Sequence, residues 1–302
     1  MSAVDLNGKV AVVTGAGQGL GRAYAVALAR AGASVIVNDL DARAADETVA
    51  MAGARTLSVS GDVGDGATAE ALVAKAVQSF GHLDVMVTNA GVLRDGVLWK
   101  MTDDDFDLVI RTHLRGTFQC ARAAAIRMRE QGTGGRLILV GSPAGQYGNF
   151  GQTNYAAAKA GIVAFARTWA LELARARITV NAIVPTAWTA MTASIPALKP
   201  LAARIESGEP LPAPVRRDLA IGTPDDCAGL VVYLASDSAA GITGQAIGIG
   251  GDRLCLYSHP SEIAVEFREG GWDADAIASV WGARFQSHTQ PFGVQMPKVD
   301  LS

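Results

Sequence analysis

Cysteine is scarce, with only Cys120, Cys227 and Cys255 in 302 residues and no two of them close together. The four histidines, His82, His113, His259 and His288, are scattered as well, so no C-x-x-C or H-E-x-x-H spacing arises. That argues against a metal site and against a disulfide framework. A basic excess is missing too: 26 Lys and Arg face 29 Asp and Glu, for a formal charge of −3. Such a chain has no general field to gather nucleic acid, and small-molecule chemistry is expected instead. No apolar run approaches the length that spans a bilayer, and the opening MSAVDLNGKV lacks the basic and apolar regions of a secretion signal. The expectation is a soluble, cytoplasmic protein in a reducing compartment, with no membrane partner. The closing KVDLS is not a peroxisomal address of the S-K-L type.

What is present is apolar and periodic. Hydrophobic residues make up 49% of the chain, enough for a large buried core. Short β-branched runs alternate with longer helical patterns: KVAVVTG, GLGRAYAVALARAG, SVIVNDL, then TLSVSGDV, ATAEALVAKAVQSFG and LDVMVTNAG. Strands that read as continuous apolar runs are covered on both faces, so the pattern predicts an α/β, doubly wound parallel sheet of about seven strands with helices on both sides. Thr102 followed by Asp103, Asp104 and Asp105 marks a further helix start. Residues 1–252 are read as this domain. Within it, 186–223 holds Pro196, Pro200, Pro210, Pro212 and Pro214, too many for one helix, and is read as a substrate lid. Residues 253–302 form an appendage whose Tyr257, Phe267, Trp272, Trp281 and Phe285 are expected to pack on the same domain.

The stretch TGAGQGLGRA lies between the first strand and the first helix and carries Gly15, Gly17, Gly19 and Gly21. A glycine-rich turn there lets the backbone approach a pyrophosphate and aims the helix N-terminus at it, with Gln18 and Leu20 beside it. Asp39 ends the second strand, where a carboxylate binds the adenosine ribose and repels the extra phosphate of NADP. Its neighbours Gln18, Leu40 and Asp41 offer that phosphate no cation. The cofactor is therefore read as NAD. Asp62 and Val63 in GDV, and Asn89, Ala90 and Gly91 in TNAG, fall at carboxyl ends of strands, the ligand edge of such sheets. Asp62 and Val63 are placed to frame an adenine; Asn89 is read either as part of that edge or as a structural tie between strands.

NFGQTNYAAAKAG places Tyr155 and Lys159 on one helical face, four residues apart, and Ser142 ends a strand thirteen residues earlier. Together with the glycine turn and NAG, this resembles the short-chain dehydrogenase/reductase family over residues 5–252. The resemblance implies that Tyr155 is the general acid/base, that Ser142 holds the substrate oxygen, and that Lys159 lowers the Tyr155 pKa and binds the nicotinamide ribose. Free tyrosine titrates at about 10, so neutral-pH catalysis asks for a reduction of roughly 2 to 3 units. The family's catalytic asparagine is replaced here by His113 in HLRGTF. His113 is carried as a candidate beside the reading that it only packs, since the family role is commonly fulfilled by the main-chain carbonyl. The usual Pro-Gly is Pro185-Thr186, which changes the nicotinamide side, where Pro185 and Trp188 are the expected contacts.

NAGVLRDG, HLRGTFQCARAA and YGNFGQTNYAAAK are similar to one branch of the family, the (3R)-hydroxyacyl-CoA dehydrogenase unit of peroxisomal multifunctional β-oxidation enzymes, also called 17β-hydroxysteroid dehydrogenase type 4. The tail resembles that unit more loosely. This implies oxidation of a (3R)-3-hydroxyacyl-CoA, with a bulky or steroid-derived acyl group included, to the 3-ketone. It also implies a homodimer or homotetramer built on the helices carrying His113 and Tyr155. Three other readings stay open: a hydroxysteroid or alicyclic alcohol dehydrogenase, a 3-ketoacyl carrier-protein reductase, against which Asp39 counts, and a non-catalytic NAD-binding scaffold. Arg216 and Arg217 in the lid are read as candidates for the phosphates of CoA.

Overall fold

The computed structural model describes residues 4–189, 193 and 198–294. One sheet runs through it, with strand order β3-β2-β1-β4-β5-β6-β7-β8. The strands are β1 (Val10–Val13), β2 (Ser34–Asp39), β3 (Thr56–Ser60), β4 (Val85–Thr88), β5 (Gly135–Val140), β6 (Ile178–Pro185), β7 (Ala246–Gly250) and β8 (Arg253–Leu256). β1 to β7 are parallel, and the order reverses direction between β1 and β4, where ligands bind in such sheets. The eighth strand exceeds the seven expected and comes from what the sequence assigns to the appendage. It turns back antiparallel on β7 through Gly251 and Asp252, and Gly251 takes the positive φ of 48° that so tight a hairpin needs.

The helices are α1 (Gly19–Arg30), α2 (Ala42–Ala52), α3 (Gly66–Phe80), α4 (Asp103–Val109), α5 (Gly116–Gln131), α6 (Pro143–Tyr147), α7 (Thr153–Leu173), α8 (Lys199–Glu206), α9 (Ala213–Arg217), α10 (Pro224–Ala235) and α11 (Ala274–Val280). Along β1, Ala11 and Val13 pack with α1 and α10 while Val10 and Val12 pack with α3 and α5. Both faces are therefore apolar, which is why the strand shows no polar alternation. Thr102 caps α4 by accepting from the Asp105 amide at 3.1 Å. A π-helical turn, Ile110–Arg115, joins α4 to α5 and holds His113. Such turns are rare and frequent at functional sites.

The prolines of the lid segment it into α8 and α9, with Pro212 as the residue before α9 and Pro214 in its first turn. Leu198, Leu201, Val215 and Ile221 form a small buried cluster there, joined by Trp188. Met191, Ile195 and Pro196, also assigned to the lid, lie outside the described residues. In the appendage, Tyr257 packs against the sheet core and against Tyr147, whereas Trp281 and Phe285 pack on each other. Phe267 is 92% exposed, so among the described residues it does not pack on the domain as expected. The end of the described appendage hydrogen-bonds through the Gly293 and Val294 amides to the Tyr147 and Gly148 carbonyls, at 2.7 and 3.0 Å. Among the described residues no helix is long and apolar enough to cross a membrane.

Candidate active site

The glycine turn leaves β1 where the Thr14 amide donates to the Val87 carbonyl, 3.0 Å away on β4. Two glycines there are forced by contact. A Cβ on Gly15, whose φ is +58°, would lie 2.5 Å from the Ala90 Cα, and one on Gly21 would lie 2.1 Å from the Gly15 carbonyl oxygen. Gly17 donates its amide to Asp39 Oδ2 at 2.8 Å, and Asp39 Oδ1 accepts from the Asp41 amide at 3.1 Å. Asp39 is thereby fixed at the end of β2 beside the turn. Gln18 precedes α1 without capping it by its side chain, and the first turn carries no acidic residue. Uncapped amides at a helix N-terminus favour an anion. Gly19 follows with φ +53°, and Leu20 packs on the core beside it. A glycine cradle, uncapped amides and a fixed carboxylate fit a dinucleotide.

One cation does stand near this end. Arg22, in the first turn of α1, donates to the Gly17 carbonyl and to Thr48 Oγ1, the latter at 3.0 Å. The expectation of no nearby cation rested on Gln18, Leu40 and Asp41 and missed it. Arg22 is answered by Glu47 at 3.2 Å, so its charge does not stand alone.

At the carboxyl end of β3, Asp62 accepts from the Gly64 amide at 2.8 Å and pairs with Arg111 at 2.7 Å, while Val63 is buried. Asn89, after β4, donates its side-chain amide to the Thr14 and Gly15 carbonyls at 3.1 and 2.9 Å. That is the structural tie, binding β4 to the turn. Ala90 crowds Gly15, and a Cβ on Gly91 would fall 2.1 Å from His113 Cε1.

Ser142 follows β5 and opens α6, its Oγ accepting from the Ala144 amide at 3.2 Å. Its side chain also favours the ionised form of the Tyr155 phenol. Lys159, one turn along α7, donates to the Val140 carbonyl at 2.7 Å and lies 5.6 Å from the Tyr155 ring centroid. Ser142, Tyr155 and Lys159 are all buried. Two residues that sequence reasoning passed over position them. Buried Asn154 donates to the Arg94 and Asp105 carbonyls at 3.0 and 3.2 Å and accepts from the Tyr155 amide at 2.7 Å, fixing the start of α7. Gly145 lets α6 close on α7, since a Cβ there would stand 2.6 Å from the Lys159 carbonyl carbon.

The electrostatics depart from the expectation that Lys159 lowers the Tyr155 pKa. Burial raises the Tyr155 phenol above its ordinary value; the Ser142 side chain opposes this and the Asp95 charge adds to it. Burial also brings Lys159 down to about 7. Desolvation disfavours the charged form of both and is the largest cause for each. His113 is lowered to about 3 by burial and then by the Lys159 charge, against the bond to Val92. Its Nε2 lies 3.0 Å from the Val92 amide nitrogen and 2.8 Å from the Val92 carbonyl oxygen, and its ring meets Tyr155 edge-on at 5.1 Å. A neutral imidazole held on Val92 suits a packing group better than a titrating one. Pro185 ends β6 beside the lid, and Trp188 packs within the lid cluster while its amide donates to the Gly222 carbonyl at 2.7 Å.

Arg216 and Arg217 in the lid are engaged in ion pairs. Arg216 pairs with Asp226 at 3.2 Å and with Asp252 at 2.7 Å, and Arg217 pairs with Asp218 at 2.9 Å. Arg216 ties α9 to the start of α10 and to the β7–β8 turn, so a phosphate would have to compete with two carboxylates for it.

A glycine turn at the β1/β4 switch point and a buried Ser-Tyr-Lys cluster define a nicotinamide-dependent dehydrogenase of the short-chain class. The chain belongs to the short-chain dehydrogenase/reductase family, and residues 15–251 match the family model described as Enoyl-(Acyl carrier protein) reductase. It is an oxidoreductase acting on CH–OH groups. It is 44% identical over 271 residues to hydroxyacyl-CoA dehydrogenase ChsB1 of Mycobacterium tuberculosis, covering 85% of this chain and 81% of that protein. Peroxisomal multifunctional enzyme type 2 of Drosophila melanogaster is 45% identical over 201 residues, 63% of this chain but only 33% of that enzyme. The 3-oxoacyl-[acyl-carrier-protein] reductase FabG of Thermotoga maritima is 38% identical, covering 82% of this chain and 98% of that protein. In structure, a short chain dehydrogenase from Mycobacterium avium superposes with a TM-score of 0.80 at 32% identity, covering 96% of this chain and 98% of that one.

Proposed function

We propose that the protein oxidises a (3R)-3-hydroxyacyl-CoA to the 3-ketoacyl-CoA with NAD. The observation that carries the substrate class is the 44% identity, over most of both chains, to a hydroxyacyl-CoA dehydrogenase. Asp39 supports NAD: both of its oxygens accept backbone amides at the rim of the turn, so its charge stays where the extra phosphate of NADP would have to lie. Gly15, Gly17, Gly19 and Gly21 would take the pyrophosphate with the α1 amides, Asp39 the ribose, and Asp62 and Val63 the adenine. When bound, the nicotinamide supplies the acceptor for the hydride that leaves the carbinol carbon.

The chain's own residues do the rest. Ser142 Oγ holds the substrate oxygen, and Tyr155 Oη, as the phenolate, takes the alcohol proton during oxidation and, as the phenol, gives it back during reduction. Lys159, held by the Val140 carbonyl, carries a proton beside Tyr155 that it gives up near neutral pH. Two such close groups titrate as a pair. Exposed Phe118 and Ile126 on α5 and Leu171 on α7 support a homo-oligomer joined through those helices.

The test is a panel of (3R)- and (3S)-hydroxyacyl-CoA thioesters, hydroxysteroids and alicyclic alcohols with NAD⁺ and NADP⁺, followed by absorbance of the reduced cofactor. Highest kcat/KM for a (3R)-thioester with NAD⁺ supports the proposal. Preference for a free steroid or alicyclic alcohol overturns the substrate class. The likeness to the carrier-protein reductase favours a second reading, reduction of a 3-ketoacyl thioester; a strong preference for NADPH in that direction would put it first.

A further inference from the structure

The glycine turn is gripped from behind by α2. Thr48 is fully buried in that helix, and its hydroxyl lies 2.8 Å from the Ala16 carbonyl oxygen and 3.2 Å from the Ala44 carbonyl oxygen. A threonine inside a helix ordinarily returns its proton to the carbonyl four residues back, here Ala44. The single proton has a nearer acceptor on the turn. The hydroxyl oxygen also accepts from Arg22 Nε at 3.0 Å, and Arg22 Nη2 donates to the Gly17 carbonyl. Two successive carbonyls of the turn, Ala16 and Gly17, are thus held by one buried hydroxyl and one guanidinium.

Peptide planarity turns this into a statement about the opposite side. In a trans peptide the carbonyl and the next N–H point in opposite directions. With the Ala16 carbonyl on Thr48, the Gly17 amide must face away from α2, and there it meets Asp39 Oδ2 at 2.8 Å. With the Gly17 carbonyl on Arg22, the Gln18 amide is turned away likewise. We propose that Thr48 and Arg22 are positioning residues for the dinucleotide. They lock two peptide planes so that the turn's amides and Asp39 are set before the cofactor arrives. Glu47 holds the outer end of Arg22 at 3.2 Å and completes the clamp. Preorganisation of this kind is read in affinity, because an unlocked turn must be ordered on binding.

The inference rests on the dinucleotide reading of the turn, and only its last consequence rests on the choice of NAD. Thr48→Val keeps the shape and removes the hydroxyl, Thr48→Ser restores it, and Arg22→Met keeps the stem and removes the guanidinium. Dissociation constants for NADH and NADPH are measured by cofactor fluorescence on each full-length variant, beside thermal unfolding. Thr48→Val and Arg22→Met are each expected to weaken NADH about tenfold, the worth of one or two hydrogen bonds, while Thr48→Ser stays within about threefold of the parent. The ratio of NADPH to NADH affinity should move toward one as Asp39 loses its fixed amide partner. NADH affinity within twofold of the parent in both Thr48→Val and Arg22→Met overturns the proposal, as does an equal loss in Thr48→Ser. If Thr48→Val does not fold, Arg22→Met, at the more accessible end of the clamp, decides alone. A parent that prefers NADPH would defeat the NAD reading, and the clamp would then be judged by the same losses measured with NADPH.

Discussion

Around the glycine turn, Gly17, Asp39, Thr48 and Asn89 are joined by hydrogen bonds between backbone groups and polar side chains at 2.8 to 3.1 Å. The lid is held differently, by an apolar cluster of Leu198, Leu201, Val215 and Ile221 and by the ion pairs of Arg216 with Asp226 and Asp252. In the first region each partner has one position, because a buried polar atom left unpaired is costly and a Cβ on Gly15 or Gly21 meets backbone. In the second, apolar side chains interchange at small cost and partly exposed ion pairs contribute little. The molecule therefore has a rigid, atom-specific half around the glycine turn and a more tolerant half at the 186–223 segment.

The largest effect should come from the buried cluster. Tyr155→Phe keeps the ring against His113 and removes only the acid/base oxygen, so kcat/KM should fall by about 10³-fold or more. NADH affinity should stay within about threefold. Turnover above a tenth of the parent's would mean that another group carries the proton.

Gly21→Ala comes next. Its Cβ would stand 2.1 Å from the Gly15 carbonyl oxygen and 2.5 Å from Asn89 Nδ2, so the turn or the Asn89 tie must shift. A loss of about 2 kcal/mol in denaturant unfolding is expected, with NADH binding weakened together with it. If stability and affinity both match the parent, the turn is looser than the contrast requires.

His113→Asn sharpens the contrast through pH. The folded protein holds the imidazole at about 3 against an ordinary 6.5, so between those values the unfolded chain binds a proton that the folded chain refuses. Stability must therefore fall as pH drops through that window, and the group costs nothing above 6.5. His113→Asn should flatten the stability profile between pH 6.5 and 3 while lowering kcat by less than tenfold. A parallel profile would show that His113 titrates normally, and a loss in kcat matching Tyr155→Phe would make the imidazole a catalytic group.

The two halves were also unequally legible. Apolar runs announced the parallel sheet because both faces of each strand are covered. The glycine spacing announced the turn because backbone contact forbids a side chain. The spacing of Tyr155 and Lys159 put them on one helical face, but their roles and that of Ser142 were legible only through the resemblance to short-chain dehydrogenases. Thr48 was invisible: a threonine within a helix reads as ordinary, and its partner Ala16 lies 32 residues away. Asn154 and Gly145 act through backbone contacts that sequence does not display. β1 and β4 are as short as the strand Arg253–Leu256 but buried throughout, whereas that strand is mostly exposed and lacks the cover on both faces that made them legible. The partners of Arg216 were not legible because they stand 10 and 36 residues away, so its charge looked unpaired.

Arg216 also gives the smallest expected effect and the most direct comparison between the halves. Its guanidinium, with 28% of the side chain exposed, joins α9 to the first turn of α10 and to the β7–β8 turn. Solvent screens such pairs, so Arg216→Met should cost about 1 kcal/mol of stability, and less at high salt. Because both carboxylates already occupy the guanidinium, the change removes no ligand contact, and KM for an acyl-CoA should rise by less than about threefold. A KM that rises tenfold or more for the thioester, but not for a small uncharged alcohol, would mean that Arg216 leaves its aspartates to meet phosphate. The lid would then rearrange on binding, with a charge that changes partners, and the tolerant half would have a specific ligand contact of its own.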